Sequence, residues 1–344
     1  MKHYKIITVL LMLGIVASLQ SFRLKPQKQR AYWNENSKLW ELLWALGEPK
    51  PNHYFEYPPE QVAQGKDLVL YGRTNQFRSG KSKYISVYYA CTNCHNLAQE
   101  DPDLRISNPD TRLPYVKNKG LKLLQGTTFF GIVNRESYYN DDYYKKYGDA
   151  VKAANHSLEN ATQLCAVECS QGRQLQDWEL KAILAYYWSL QYSLKDLELQ
   201  AADYERINQN FTDKSQQAAL VKWLKTFYAQ KSPATFTDAP TDKNKGYEGL
   251  VGNAQTGKVV YEISCQVCHK PEGVSDYVLD NSQTTFRQLK NNMAAESKLS
   301  VYKICRYGTH AEPGHRPYMP HYTLEKLSNQ QLEDLRAYIV QKAK

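Results

Sequence analysis

Long apolar runs are missing from this chain of 344 residues. One stretch stands out, Ile6–Leu19, and its 14 residues fall short of the roughly 20 that a spanning helix needs. Lys2 and Lys5 precede it, and Arg23, Lys25, Lys28 and Arg30 follow. That is the shape of a secretory signal peptide, with Val16-Ala17-Ser18 as a weak cleavage site, so residues 1–22 are expected to be a signal peptide or an N-terminal membrane anchor. Dense Lys/Arg runs are also missing. A net charge of +9 spread thinly gives no basic face for nucleic acid, and none is expected as a partner. Methionine is scarce: Met1, Met12, Met293 and Met319 are all there are. Cysteine is nearly as scarce, with seven residues. Such a count excludes a disulfide-stapled scaffold and makes the position of each thiol informative.

Four of the seven cysteines form a pattern. Cys91-Thr-Asn-Cys94-His95 is repeated as Cys265-Gln-Val-Cys268-His269. The C-x-x-C-H spacing is that of c-type haem attachment. Two thiols add to the two vinyl groups of one haem, and the following histidine, one helical turn from the first cysteine, meets the iron. Two such runs on an exported chain point to two covalent haems; two half-sites for zinc are the alternative. The covalent attachment residues are then Cys91, Cys94, Cys265 and Cys268, and the proximal iron ligands His95 and His269.

The chain repeats around these motifs. Leu175–Tyr186 aligns without gaps on Leu327–Tyr338, an offset of 152 residues, and Gly65-Lys66 matches Gly257-Lys258. Each unit reads as a helix, the motif, a ligand-bearing loop and a closing helix. The distance from haem histidine to closing tyrosine is 91 residues in the first unit and 69 in the second. The tyrosine-rich segment Tyr138–Tyr147 is expected to account for the difference. The expected fold is mainly α: two cytochrome c-like haem-binding domains in tandem, joined by a helical linker. The boundaries are 23–54 for a helix and linker, 55–195 for the first domain, 196–245 for the linker and 246–344 for the second domain. Helices are expected near Trp33–Leu46, Pro59–Tyr71, Leu175–Leu190 and Leu327–Gln341, the last capped by Ser328 with Gln331 three residues on. Residues 96–127 read as loop, punctuated by Pro and Asp.

A sixth iron ligand is needed in each unit. In the second, Met319 lies beside Pro317 and Pro320, just before the closing helix, and is expected to fill the role; Met293, His310, His315 and His321 are rivals. The first unit has no methionine. The repeat equivalent of Met319 is Val167, and Cys165 and Cys169 flank it two residues away on either side. Cys165 is the expected ligand, with Cys169 and His156 as alternatives, and Cys305 reads as a core thiol.

With these residues in view, the chain resembles the dihaem thiosulfate dehydrogenases. The Gly65-Lys66 helix, the insertion before Ala90-Cys91-Thr92-Asn93-Cys94-His95, and the spacing from Cys165 to Gly172 carry the resemblance over roughly residues 55–195. It implies cysteine as sixth ligand to the first haem and methionine to the second. Where that family has an arginine and a serine, this chain has Glu168 and Cys169, and Glu168 is expected to repel a sulfur oxyanion. Three functions follow as expectations. The first is an exported, periplasmic dihaem electron carrier serving a soluble cytochrome or terminal oxidase. The second is a thiosulfate dehydrogenase forming tetrathionate. The third is a dihaem peroxidase, which needs an open iron site and an acid–base group.

Overall fold

The computed structural model describes residues 32–75, 80–297, 300–309 and 319–344. The expected signal or anchor segment lies outside the described residues, as do His310 and His315. Among the described residues the chain is helical, with no strand beyond two isolated bridges, and no helix is long and apolar enough to cross a membrane.

The helices are α1 (Leu39–Ala45), α2 (Pro59–Tyr71), α3 (Pro109–Asn118), α4 (Asp141–Tyr147), α5 (Ala150–Asn155), α6 (Leu158–Leu164), α7 (Asp177–Ser189), α8 (Ala201–Asn210), α9 (Lys214–Leu224), α10 (Ala254–Val260), α11 (Gln266–His269), α12 (Gln283–Met293), α13 (Val301–Tyr307) and α14 (Asn329–Lys342). Wide π turns, Cys165–Cys169 and Tyr261–Cys265, continue α6 and α10. Local chemistry sets the ends. Proline at the first position starts α2, and Gly72 in the left-handed region stops it. Ser328 caps α14 with Gln331 in a reciprocal box. Asn108 caps α3 and Pro109 opens it. Helix α3 is therefore a correction to the loop expected over 96–127.

Two helix crossings organise the fold. Helix α2 crosses α7, and α10 crosses α14. At each crossing a glycine lets the backbones touch. A β-carbon on Gly65 would lie 1.8 Å from the Ala182 carbonyl oxygen, and one on Gly257 would lie 1.9 Å from that of Asp334. Ala182 and Asp334 are 152 residues apart, the offset of the sequence repeat. The two crossings are thus the same contact made twice.

Two hydrophobic cores result. The first joins Leu68, Val69, Ile183 and Trp188 of its crossing to Leu39, Leu42 and Leu43 of α1 and to Ile207, Leu220 and Leu224 of α8 and α9. The stretches expected as flanking linkers thus pack onto the first core. The second gathers Val260, Phe286, Tyr302, Leu335 and Ile339, together with Leu113, Val116 and Leu123 from α3 and the residues after it. The halves are pinned by buried polar contacts. Lys326 pairs with Glu100, both almost fully buried. Arg112, 1% exposed, forks onto Asp101 at 2.6 and 3.0 Å and donates to the Glu325 carbonyl at 2.6 Å.

Candidate functional site

Both motifs present their histidines alike. A tight turn at Cys91–Asn93, held by the Asn93 side chain on the Ala90 N–H at 2.7 Å, puts His95 one turn after Cys91. His95 Nδ1 meets the Thr127 carbonyl at 2.6 Å, and His269 Nδ1 meets the Tyr277 carbonyl at 2.7 Å. A carbonyl only accepts, so Nδ1 carries the proton and Nε2 keeps its lone pair for a metal. Burial lowers both imidazoles, His95 to about 4, so each stays neutral. His95 stacks on Phe129, centroids 4.3 Å apart, and Gly126 passes so close that a β-carbon would fall 2.4 Å from the ring.

The two carbonyls explain the unequal spacing. Thr127 lies 32 residues after His95, and Tyr277 only 8 after His269. From there to the closing tyrosine the lengths nearly agree, 59 residues to Tyr186 and 61 to Tyr338. The extra length is therefore the α3 loop, not the tyrosine segment expected to supply it. That segment has a counterpart of similar length in the second unit.

A cavity of about 1410 Å³, open mouth included, lies against the first motif. Cys91, Cys94, His95, Cys165 and Cys169 all line it. Cys169 Sγ is hydrogen-bonded to Tyr147 Oη at 3.6 Å and to Tyr139 Oη at 3.7 Å. Its hydrogen bond to Cys165, with burial, pushes the Cys165 thiol well above its ordinary range. His156 is elsewhere: it is exposed, with Nδ1 3.2 Å from the Glu136 carbonyl. Glu168 is exposed and outside the cavity lining, which contains no carboxylate among the described residues.

One wall has no local signal in the sequence. Pro320, His321, Thr323 and Lys326, from the second half, line the first cavity. His321 therefore faces the first motif, not the second, where it had been weighed against Met319. Met319 is half-buried against the second core, its N–H on Thr309 Oγ1 at 2.6 Å and its carbonyl taking the Thr309 N–H at 3.0 Å. Cys305 is buried in that core, as expected.

The two motifs are neighbours. Burial and the nearby Cys94 and Cys268 thiols together raise the Tyr89 phenol, so Tyr89 is close to a thiol of each motif. The Leu123 N–H bonds the Ile263 carbonyl at 2.9 Å, two residues before Cys265.

The residues of the first cavity fit haem. Thiols and a neutral imidazole stand at one side and aromatic rings around it. Buried Gln125 Oε1, Arg135 Nε and Thr323 Oγ1 line it without a protein partner. Carboxylates such as haem propionates would accept from Arg135 and Thr323. No group of three or more His, Cys, Asp or Glu able to hold a metal ion occurs among the described residues.

Residues 252–339 match the family model described as cytochrome c oxidase, cbb3-type, subunit III. The matched stretch spans the second motif, Met319 and the α10/α14 crossing. Residues 252–339 thus form a cytochrome c domain, which supports a c-type cytochrome: such domains bind haem covalently and exchange electrons with redox partner proteins. No curated protein and no solved structure matches the chain.

Proposed function

We propose that this is a dihaem c-type cytochrome, acting outside the cytoplasm to pass electrons from a donor to a respiratory acceptor. One observation carries the reading: His95 and His269 are both held through Nδ1 on a main-chain carbonyl, each behind a C-x-x-C pair and beside a glycine-pinned helix crossing. Cys91 and Cys94, and Cys265 and Cys268, would hold the groups covalently. Haem supplies one-electron transfer when bound. On the far side, Cys165 would serve the first iron as a thiolate, with Cys169 as its rival, and Met319 the second. The nearness of Cys94 to Cys268 suits electron passage between the two. Pyridine haemochrome should give two haems per chain that survive acid-acetone extraction; one haem, or extractable haem, would end the reading.

A second reading is oxidation of thiosulfate to tetrathionate at the first site. Joining two thiosulfates by a sulfur–sulfur bond releases two electrons, which two one-electron centres can take. The cavity lining favours it: Arg135 and Lys326 are there, and Glu168, the expected obstacle, is turned away. Reduction of the purified ferric protein by thiosulfate would separate an enzyme from a plain carrier.

A further inference from the structure

His321 is unlike the other groups on the wall of the first cavity. It is 7% exposed, comes from the second half of the chain, and its Nε2 is buried without a partner. Its Nδ1 is 3.0 Å from Lys146 Nζ. An ammonium only donates, so Nδ1 accepts and the ring proton resides on Nε2. The imidazole is thus a hydrogen-bond donor without an acceptor on the wall of the cavity, with a cation at its other nitrogen. Phe236, at 4.5 Å, and Tyr143, at 5.7 Å between centroids, hold the ring in place. Tyr143 also stacks on Tyr147, which hydrogen-bonds Cys169, so a chain of ring contacts links His321 to the Cys169 thiol.

We propose that His321, backed by Lys146, is the binding site for a small oxyanion in the first cavity. The chemistry selects an acceptor carrying negative charge. The donor needs an acceptor, the ammonium behind it favours an anion, and no Asp or Glu side chain lines the chamber to oppose one. The same protonation pattern speaks against peroxide chemistry, because a peroxidase needs a free imidazole lone pair to take the proton from peroxide, and here Lys146 occupies the lone pair at Nδ1. The proposal rests on the second functional reading, in which the first cavity is a substrate chamber, and gives that chamber its anion contact.

Sulfate, a tetrahedral oxyanion that cannot reduce haem, is the probe. Calorimetric titration of the ferric holoprotein at constant ionic strength should show one saturable site per chain. His321→Ala should weaken it about tenfold or more, the effect of removing one charge-assisted hydrogen bond. His321→Gln should restore part of the affinity through its amide N–H, and Lys146→Gln should weaken binding with haem content unchanged. No saturable site, or a site that survives both His321→Ala and Lys146→Gln, overturns the proposal. So does a His/His-type electron-paramagnetic-resonance signal in the sulfate-free protein that His321→Gln abolishes, which would make His321 an iron ligand. A sulfate site without thiosulfate reduction keeps the proposal and sinks the thiosulfate reading. Thiosulfate reduction with sulfate binding unchanged in His321→Ala does the reverse.

Discussion

Cys165 and Glu100 show what single side chains decide here. The first unit has no methionine, and Cys165, by its spacing to Gly172, is the thiol that the resemblance to the dihaem thiosulfate dehydrogenases implies as ligand. Cys165→Met should replace a thiolate-type signal by a His/Met one and raise the potential of that haem, since a thioether favours the ferrous state relative to a thiolate. Redox titration followed by electron paramagnetic resonance reads both. An unchanged signal would move the assignment to Cys169. Glu100 plays a structural part. Burial alone would raise its carboxyl, but Lys326 and Arg112 outweigh burial and hold it at about 2. Its folded value is then below the ordinary 4.5, so the unfolded chain takes the proton first. The stability Glu100 contributes is present above about pH 4.5 and is lost as pH falls from there toward 2, while burial lowers Lys326 to about 8 and offsets part of it, so the pair as a whole contributes less than the carboxylate alone. Glu100→Gln leaves the Lys326 ammonium buried without its counter-charge and should cost roughly 3–5 kcal/mol at neutral pH. Denaturant titration of the two forms at pH 7 and pH 3 should show the gap narrowing in acid. A gap that stays constant would contradict the assignment.

Among the helices, the crossings carry the strongest demand. Gly257→Ala sets a methyl against the Asp334 carbonyl, and neither backbone can yield without parting α10 from α14. The expected cost is at least about 3 kcal/mol, the upper range for overpacking. It should appear as a lowered melting temperature with reduced haem incorporation in the second unit. Elements with strong local signals were legible in the sequence. Helix α2 begins at Pro59 and ends at Tyr71, where Pro, the Gly-Lys pair and Gly72 place it, and the Ser328/Gln331 box opens α14. Helix α3 was not, because Pro114 inside it and the prolines and aspartates around it resemble loop punctuation. Its Asn108-Pro109 start is a cap signal that could have revealed it.

At the scale of the molecule, the cysteine and histidine motifs announced the sites, and the repeat announced two cores. The wall they share was illegible. Pro320, His321, Thr323 and Lys326 reach the first cavity across more than a hundred residues of sequence, and no local pattern records a pairing of that kind. The two units are therefore not separable. Replacing Cys265 and Cys268 together by alanine should leave one haem per chain. It should also alter the spectrum and midpoint potential of the haem that remains, because the wall of its cavity belongs to the half that has lost its cofactor. An unaltered first haem would show the halves to be independent. Met319, Pro320 and His321 are consecutive, so an occupant that displaced the His321 ring would pull on the backbone of Met319, the proposed ligand of the second iron. Linkage makes such a connection reciprocal. Whatever factor a bound anion applies to the electron affinity near Met319, the arrival of an electron there applies to the anion's own affinity. The chamber would thus hold its occupant with a grip set by the charge state of its neighbour, and three adjacent residues would serve as a valve between loading and discharge.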